Sequence, residues 1–374
     1  MRVAMVSPYS LSRPGGVQGQ VIGLARALRA RGVEVTVVGP VDDDEAMPEG
    51  AGEHHVIGRV TGVRSNGSVA PVALSPVASI HAARYVRRGG FDVAHLHEPF
   101  APSSSYALIL VDPVPLVCTY HRAGVSHWAS FMGPLGKLAS RHFEVQVAVS
   151  EAARQTAARS SSGTIEVLFN GVDVERFASA EPCRDEQGRP VALFVGRHEA
   201  RKGLDVLLDA FAKVDRPAVL WIAGEGPSTE VQRRRHPASD RVRWLGRLSD
   251  GEVASRLAGA DVLCVPSLGG ESFGVVLLEG MAAGCAVVAS DLEGYRTAAG
   301  GHAALVPPGD TGALVRALDQ ALADAGAGTG QSSPSALRAA REHARASSME
   351  ALAGCYVDVY ERAIGTSDGS RSRP

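Results

Sequence analysis

The sequence predicts an α/β protein made of two doubly wound domains, and three observations support this. Short apolar runs alternate with amphipathic helical patterns in the first half of the chain, as in parallel sheets covered by helices. The alternation stops in a polar stretch after Ala180 and restarts at Val191. The length of 374 residues is more than one ordinary hydrophobic core needs and suits two domains.

The first domain is expected to span residues 1–180. One helix is predicted from about Val17 to Arg31 and another from Pro76 to Arg88. Its strands are predicted at Arg2–Ser7, Val33–Gly39, Asp92–Leu96, Pro115–Tyr120, Gln146–Val149 and Ile165–Phe169.

The second domain is expected to span residues 181–346. Its predicted strands read VALFVGR, VLWIAGEG, VRWLGRL, ADVLCVPS and CAVVAS. A helix over residues 347–365 is expected to cross back to the first domain, and residues 366–374, which lack apolar periodicity, are expected to be disordered. Because ligands bind at the carboxyl ends of strands in open α/β sheets, a cleft between the two domains is the expected site.

The composition predicts a cytoplasmic protein without a nucleic-acid partner. The 38 basic and 40 acidic residues give a net charge of −2, so anion binding has to come from local clusters. Five cysteines, odd in number and widely spaced, favour reduced thiols. No apolar run reaches the length of about 18 residues that predicts a membrane span.

The first strand-to-helix turn contains the adjacent pair Gly15 and Gly16. Adjacent glycines let the backbone approach an anion, and the N–H groups at a helix start favour a phosphate there. A plain loop-to-helix turn is the alternative. The full G-x-G-x-x-G fingerprint is missing, which weakens the case for a nicotinamide-dependent dehydrogenase.

Two cations follow the first strand of the second domain. Arg197 stands at the strand end, and Lys202, one of only three lysines, precedes a helix that begins near Leu204. An arginine fork and a lysine point charge at these positions can converge on one diphosphate. A solvated basic loop is the alternative.

The most specific string is GESFGVVLLE, in which Glu271 and Glu279 stand eight positions apart. Glu271 lies in a glycine-rich loop, and Glu279 lies in the helix predicted to follow it. Carboxylates accept hydrogen bonds from hydroxyl groups with defined geometry, so the pair suits a sugar. A structural ion pair is the alternative.

These motifs resemble glycosyltransferase family four, and within it the phosphatidylinositol mannosyltransferases of actinobacteria. The strings that carry the resemblance are SPYSLSRPGGVQ, NGSVA, HLHEPFAPS, TYH, VGR with RKG, and GGESFGVVLLEGMAAG. The resemblance implies the GT-B fold, in which two Rossmann-like domains face each other across a cleft and a C-terminal helix crosses back to the first. It also implies a retaining enzyme that moves a hexose, mannose from GDP-mannose, onto a phosphatidylinositol-type lipid at the cytoplasmic membrane face.

The resemblance assigns roles to residues by their position. The catalytic residues it implies are His121, Arg197, Lys202 and Glu271. The donor-binding residues are Gly16 at the phosphates, Arg197 and Lys202 at the diphosphate, Glu271 at the transferred sugar, Glu279 at the ribose, and Ser272, Phe273 and Gly274 between the glutamates. The acceptor-side residues are Tyr9, Gln18, Asn66, Ser68, His121 and Arg122.

The chemistry implied by the resemblance keeps the anomeric configuration. No carboxylate nucleophile stands in the motifs, which favours a front-side displacement in which the leaving diphosphate takes the acceptor proton. Arg197 and Lys202 then balance the charge that grows on the diphosphate. The nucleotide sugar is a substrate, and no obligatory cofactor or metal is expected.

The acceptor side departs from the family pattern. The residues that follow NGSVA include no arginine where a lipid phosphate is expected, and Arg122 follows His121 in place of a lysine. A soluble acceptor such as an inositol derivative is therefore an alternative, and so is a GT-B nucleotide-sugar epimerase. The single histidine of TYH and the paired glutamates fit the epimerase poorly.

A peripheral position on the inner face of the cell membrane is predicted by the helix from Pro76 to Arg88. His81 and three arginines recur there at spacings of three and four, which places basic groups on one side. The segment from Trp128 to Leu138 offers apolar side chains to the same interface. A solvated face and core packing are the respective alternatives.

Overall fold

A computed structural model describes residues 1–13, 15–42, 47, 51–65, 68–72, 75–101, 105–124 and 127–371, with the backbone alone for 61–65, 68–72, 127–132 and 367–371. The chain forms two compact units. Unit 1 joins Met1–Gly171 to the chain from Met349 onward, and unit 2 is Val172–Ser348.

Unit 1 contains nine described strands. They are β1 (Arg2–Val6), β2 (Glu34–Val41), β3 (His54–Arg59), β4 (Thr61–Ser65), β5 (Ser68–Val72), β6 (Val93–His97), β7 (Leu116–Tyr120), β8 (Phe143–Ala148) and β9 (Ile165–Val167). Seven of them form a parallel sheet in the order β3-β2-β1-β6-β7-β8-β9, and β4 and β5 form an antiparallel pair. Every residue of β6 and β7 is buried, as expected for strands covered on both faces.

The helices of unit 1 that precede unit 2 lie between these strands. They are α1 (Gly16–Ala30), α2 (Pro76–Arg88), α3 (Tyr106–Val111), α4 (His127–Ala139) and α5 (Glu151–Ala157), with a 3₁₀ turn at Ser140–His142. Helix α2 has the predicted bounds, because the Ser75 side chain accepts a hydrogen bond from the Val77 N–H and Pro76 occupies the first turn.

Unit 2 repeats the pattern with six strands. They are β10 (Val191–Val195), β11 (Val219–Ala223), β12 (Val242–Gly246), β13 (Val262–Val265), β14 (Ala286–Ser290) and β15 (Ala304–Val306). All run parallel, in the order β12-β11-β10-β13-β14-β15. The helices are α6 (Val174–Ala178), α7 (Leu204–Phe211), α8 (Thr229–Arg235), α9 (Asp250–Gly259), α10 (Val275–Ala283), α11 (Glu293–Ala299), α12 (Thr311–Ala327) and α13 (Pro334–Ala346), with 3₁₀ turns at Ala200–Lys202 and Gly330–Ser332.

The boundary between the units differs from the one predicted after Ala180. The structure places it after Gly171, because Val172 and Phe177 pack in the core of unit 2. The polar stretch that the sequence suggested as a linker belongs to unit 2. Asp185, in the middle of that stretch, has a fully buried side chain that pairs with Arg189 at 3.0 Å and Arg243 at 3.1 Å.

The C-terminal helix α14 (Met349–Arg371) belongs to unit 1, as the resemblance implied. Its buried side chains, among them Tyr356 and Tyr360, share one core cluster with residues of α1. The helix continues through Arg371, whereas the sequence predicted disorder from Thr366. No proline interrupts this stretch, so the backbone hydrogen bonds continue; residues 372–374 lie outside the described residues.

Each sheet has a point at which the strand order reverses. In unit 1 this point lies between β1 and β6, and in unit 2 it lies between β10 and β13. Ligands of open α/β sheets bind outside the carboxyl ends of the strands at such points. A ligand site is therefore expected in the loops that follow β1, β6, β10 and β13, and in the loop that follows the neighbouring strand β7.

Candidate functional site

The loop after β10 holds a buried carboxylate between two arginines. The Glu199 side chain is 2% exposed, and it contacts Arg197 at 3.2 Å and Arg201 at 3.0 Å. A buried charge is costly unless it is paired, so Glu199 fixes the positions of both guanidinium groups. The sequence predicted a role for Arg197 but none for Glu199 or Arg201.

The loop after β13 brings Glu271 to the same cations. One carboxylate oxygen of Glu271 lies 2.7 Å from Arg201 Nη1 and 2.8 Å from Lys202 Nζ. The Ser267 hydroxyl donates to the same oxygen at 3.4 Å, and the buried Tyr295 hydroxyl donates to Ser267 at 2.8 Å. We call Arg197, Glu199, Arg201, Lys202 and Glu271 the charge cluster.

Two glycines make the backbone of this cluster possible. Gly203 has φ +66° between Lys202 and α7, and a Cβ there would collide with the Pro266 carbonyl group. Gly274 has φ +102° immediately before α10, and a Cβ there would lie 2.5 Å from the Tyr295 ring. Both positions require glycine, and they place Lys202 and Glu271 within contact distance.

The charge cluster carries three cations and two carboxylates, which leaves one net positive charge. A cluster of this kind attracts an anion, and its preformed carboxylates hold the cations in position before the anion arrives. Lys202 and Arg197 retain exposed side-chain fractions of 21% and 51%, so both are accessible to a ligand.

Glu279 is half-buried on α10 and has a different electrostatic setting. Burial raises its pKa to about 7, Arg176 opposes the rise and Asp250 adds to it. A carboxyl group that titrates near neutrality can either donate or accept a hydrogen bond with a hydroxyl group. Of the residues between the two glutamates, Phe273 is 2% exposed in the core of unit 2, so only its backbone is available to a ligand.

We expect Glu279→Gln to stabilise the ligand-free protein more at pH 8 than at pH 5. The folded protein holds the Glu279 proton up to a pKa of about 7, whereas the unfolded chain loses it near 4.3, so the free energy of unfolding falls between these values as pH rises. Glutamine removes this loss, on the order of 1–3 kcal/mol. Urea titrations at the two pH values measure it, with the exposed Glu293→Gln as the matched control. An equal effect of Glu279→Gln at both pH values would contradict the assignment.

In unit 1, the loop after β1 presents exposed glycines that the fold itself does not require. Gly15 has an extended backbone, and a Cβ added to Gly15 or Gly16 would meet no atom within 4 Å. The first turn of α1 contains no acidic residue, so its N–H groups and helix dipole are available to an anion. The predicted anion site at Gly16 stays a prediction that this geometry allows.

The loops after β6 and β7 are joined by Glu98. Its carboxylate accepts hydrogen bonds from the backbone N–H groups of His121 and of Arg122, the latter at 2.7 Å. Burial raises the pKa of Glu98, and Arg122 opposes this rise. Burial raises the pKa of Tyr9, the charge of Glu98 adds to this rise and Arg122 opposes it, so Tyr9, His121 and Arg122 all lie near one carboxylate. A non-glycine residue at φ +47°, as Glu98 is, is strained, and such strain is common at functional sites.

Three buried histidines lie in β6 or directly after β7, and we call His95, His97 and His121 the histidine cluster. His97 Nδ1 lies 2.8 Å from His121 Nε2, and the rings of His95 and His97 are 4.1 Å apart. Burial lowers the pKa of His121 and of His95 to about 3 in each case. His95 hydrogen-bonds to Tyr360 of α14.

The positions of the other predicted acceptor-side residues say little about ligand binding. Gln18 is 7% exposed, and its amide nitrogen donates to the Leu11 carbonyl group at 2.9 Å, so this group holds the loop after β1. Asn66 lies outside the described residues, and Ser68 begins β5, for which the backbone alone is described.

The described part of the chain has neither a metal-binding cluster nor a membrane-spanning helix. It contains no group of three or more histidine, cysteine, aspartate or glutamate side chains that can hold a metal ion. None of the helices described has both the length and the apolar character needed to cross a membrane.

Two family models match the chain. One described as Glycosyltransferase Family 4 matches residues 14–176, and one described as Glycosyl transferases group 1 matches residues 189–324. The phosphatidyl-myo-inositol mannosyltransferase of Mycobacterium leprae is 39% identical, with 85% of this chain and 86% of the relative covered. That of Mycobacterium tuberculosis (strain CDC 1551 / Oshkosh) is 40% identical over 79% of each chain. The D-inositol 3-phosphate glycosyltransferase of Mycolicibacterium smegmatis is 30% identical over 100% of this chain and 94% of the relative.

Solved structures confirm the predicted fold. A glycosyltransferase from Rickettsia africae superposes with a TM-score of 0.75 over 97% of this chain and 98% of its own, at 19% identity. Anabaena HepE in complex with UDP-glucose superposes with a TM-score of 0.68 over 96% and 99% of the two chains, at 18% identity. Together with the two parallel sheets, these neighbours show that the fold is GT-B. The chain is a glycosyltransferase, and by its family models and its relatives it belongs to glycosyltransferase family 4.

Proposed function

We propose that this enzyme transfers mannose from GDP-mannose to a phosphatidylinositol-type lipid and keeps the anomeric configuration. The observation that carries the proposal is the charge cluster, in which Lys202 and Arg201 share one oxygen of Glu271. The relatives named phosphatidyl-myo-inositol mannosyltransferase support the sugar and the acceptor, since they are 39–40% identical over most of the chain.

In this proposal the charge cluster holds the donor diphosphate. Arg197 contributes a planar fork, which Glu199 keeps in position, and Lys202 contributes a point charge, which Glu271 keeps in position. Glu271 has a second carboxylate oxygen for hydroxyl groups of the transferred sugar. The complex of Anabaena HepE with UDP-glucose supports a nucleotide-sugar donor for the same fold.

The remaining donor contacts come from residues around the charge cluster and from unit 1. We assign the ribose hydroxyl groups to Glu279, a half-buried residue whose pKa is raised by burial. Ser272 and Gly274 offer polar backbone groups next to Glu271, and Gly16 offers its N–H group to the phosphates. On the acceptor side we assign Tyr9, Gln18, Asn66, Ser68, His121 and Arg122. We also assign His121 to the transferred sugar, which its side chain approaches in this proposal.

The proposed reaction is a front-side displacement. The bond between the anomeric carbon and the diphosphate oxygen breaks, and the acceptor oxygen bonds to the same face of that carbon. The acceptor proton passes to the departing diphosphate. Because negative charge grows on the diphosphate, Arg197 and Lys202 stabilise the transition state more than the bound substrate.

We expect the purified protein to convert GDP-mannose and phosphatidylinositol vesicles into a mannosylated lipid, identified by mass spectrometry. GDP at a hundredfold excess over its Kd should stabilise the protein by about 2.7 kcal/mol, while UDP at the same concentration should protect it less.

Mannosylation of soluble inositol phosphate alone would instead favour a soluble acceptor, which the D-inositol 3-phosphate glycosyltransferase relative supports as the second candidate. A new nucleotide sugar formed without any acceptor would reveal an epimerase.

We also propose that α2 lies on an anionic membrane surface. Its exposed face combines the basic pair Arg87 and Arg88 with the apolar side chains of Val77 (56% exposed) and Ile80 (44% exposed). Basic side chains near an anionic leaflet each contribute about 1 kcal/mol, and exposed apolar groups add to this attraction.

Replacing Arg87 and Arg88 with serine should weaken binding to phosphatidylinositol-containing vesicles. We expect the free energy of partitioning to fall by about 2 kcal/mol, or roughly thirtyfold in the partition constant measured by flotation. The matched control replaces Arg234 and Arg235 with serine. This exposed pair ends α8, and its loss should leave flotation unchanged. Equal flotation of both double variants would show that α2 is an ordinary solvated face.

A further inference from the structure

The side chain of His97 contacts the ring of His121 directly. His97 Nδ1 and His121 Nε2 are 2.8 Å apart, and the two residues are 1% and 7% exposed. The backbone of His121 is held separately, because its N–H group donates to Glu98. Both the main chain and one ring nitrogen of His121 are therefore fixed before any ligand binds.

The contact between the two rings contains a single proton. Desolvation by burial lowers the pKa of both histidines far below neutrality, so each ring is neutral and carries one N–H group. Two arrangements satisfy the contact. Either His97 donates from Nδ1 to a bare Nε2 of His121, or His121 donates from Nε2 to a bare Nδ1 of His97.

The other ring nitrogen of His97 distinguishes these arrangements. His97 Nε2 is buried and has no hydrogen-bond partner among the described residues. If His121 were the donor, His97 would carry its proton on Nε2 and bury an N–H group without an acceptor. In protein backbones, buried N–H groups without an acceptor are rarer than carbonyl groups that lack a donor. We apply the same preference to the ring nitrogens of His97. The arrangement with the proton on His97 Nδ1 leaves only a lone pair unsatisfied.

We propose that His97 is a positioning residue that holds neutral His121 in the tautomer with its proton on Nδ1. The ring of His121 then presents a hydrogen-bond donor to its ligand, while its only lone pair is occupied by His97. On the proposed function, under which His121 approaches the transferred sugar, this donor faces a sugar oxygen. His121 then serves to orient the sugar and does not act as a general base.

The neighbouring groups keep His97 in place without competing for its proton. The ring of His95 packs 4.1 Å from that of His97 and bonds to Tyr360 and Thr119, each at 2.7 Å. Both nitrogens of His95 are thus occupied by hydroxyl groups, so neither hydrogen-bonds to His97. Among the described groups that hydrogen-bond to either His97 or His121, only the carboxylate of Glu98 is charged, and it bonds to the backbone of His121.

Three variants separate the tautomer from general disturbance of the core. His97→Asn retains an amide N–H donor near the position of Nδ1, and His97→Phe retains a ring without a donor. Tyr360→Phe removes a hydroxyl group from His95 and leaves the contact between His97 and His121 intact. His121→Gln identifies the His121 signals by their loss from the spectrum.

The experiment is ¹⁵N NMR of the ligand-free full chain labelled at histidine, followed by transfer kinetics. We expect His121 to be protonated on Nδ1 in the wild type, in His97→Asn and in Tyr360→Phe, and to lose this preference in His97→Phe. We expect kcat to fall about tenfold to a hundredfold in His97→Phe and to recover in His97→Asn, as when a partner that orients a functional histidine is removed.

A wild-type His121 protonated on Nε2 would overturn the inference even if transfer is observed. Absence of transfer with the expected spectrum would refute only the proposed function, and if His97→Phe does not fold, the wild-type spectrum still decides.

Discussion

Replacing Lys202 with alanine is expected to lower kcat by about a hundredfold to a thousandfold, the effect of removing one preorganised charge from a developing anion. Lys202 Nζ lies 2.8 Å from Glu271, so its ammonium group is already in position when the diphosphate leaves. Glu271 keeps Arg201 as a partner in this variant, and the fold should be retained. Steady-state kinetics with varied donor concentration measure the change.

The matched control is Lys213→Ala, which removes an exposed lysine after α7 and should leave kcat unchanged. If Lys202 served only to bind the donor in the ground state, its removal would raise KM with an unchanged kcat. That result would contradict the role assigned to the charge cluster in the transition state.

Ending the chain after Ser348 is expected to unfold unit 1 and to spare unit 2. The truncation removes α14, whose buried Tyr356, Val359 and Tyr360 belong to the core of unit 1. Full burial of each such side chain contributes about 1.5–3 kcal/mol, so the loss approaches the 5–15 kcal/mol by which a typical domain is stable. His95 and Thr119 would also lose hydroxyl partners inside the core.

Limited proteolysis with mass spectrometry measures this result: fragments within Val172–Ser348 should resist cleavage, while β6 and β7 should be cut. The control chain ends after Thr366 and retains every buried residue of α14 from Met349 to Ala363. A truncated protein with native protection of β6 and β7 would show that α14 is dispensable for unit 1.

Much of the fold was predictable because its central strands are continuous apolar runs. The runs at β1, β10 and β13 lie in the middle of their sheets, where burial on both faces demands this composition. Strand β3 was not predicted because it is an edge strand, HHVIGR, in which three of the six residues are polar and only one is buried. Strand β15 was not predicted because its three residues are followed at once by Pro307 and Pro308, whereas the apolar run of the equally short β9 continues through Phe169.

The charge cluster was predictable in part. The strings around Lys202 and Glu271 indicated two loops at strand ends, and the structure brings these two side chains into contact. Arg201 and Glu199 were overlooked because a charged residue in an exposed-looking loop usually is solvated. Alternating charges in the string GRHEARKG were the available signal, since opposite charges two residues apart at a strand end can pair across a turn.

The functional role of the loops after β6 and β7 was harder to infer. The sequence gives no sign that Glu98 accepts hydrogen bonds from the backbone of residues more than 20 positions away. The same holds for His97. In the sequence it is only a histidine in an apolar strand, and its contact with His121 is seen only in the structure. Such contacts depend on the register between neighbouring parallel strands, in which His97 stands opposite Thr119.

Because unit 1 combines segments that lie on either side of unit 2 in the sequence, synthesis on the ribosome cannot complete it before unit 2. The segment Met1–Gly171 leaves the ribosome before unit 2, yet α14 is translated only after unit 2. At about 5–20 residues per second, the early segment waits roughly 10–40 s for this helix. During that interval the sites for Tyr356 and Tyr360 are vacant, and unit 2, although begun later, is the first part of the nascent chain able to acquire its native structure.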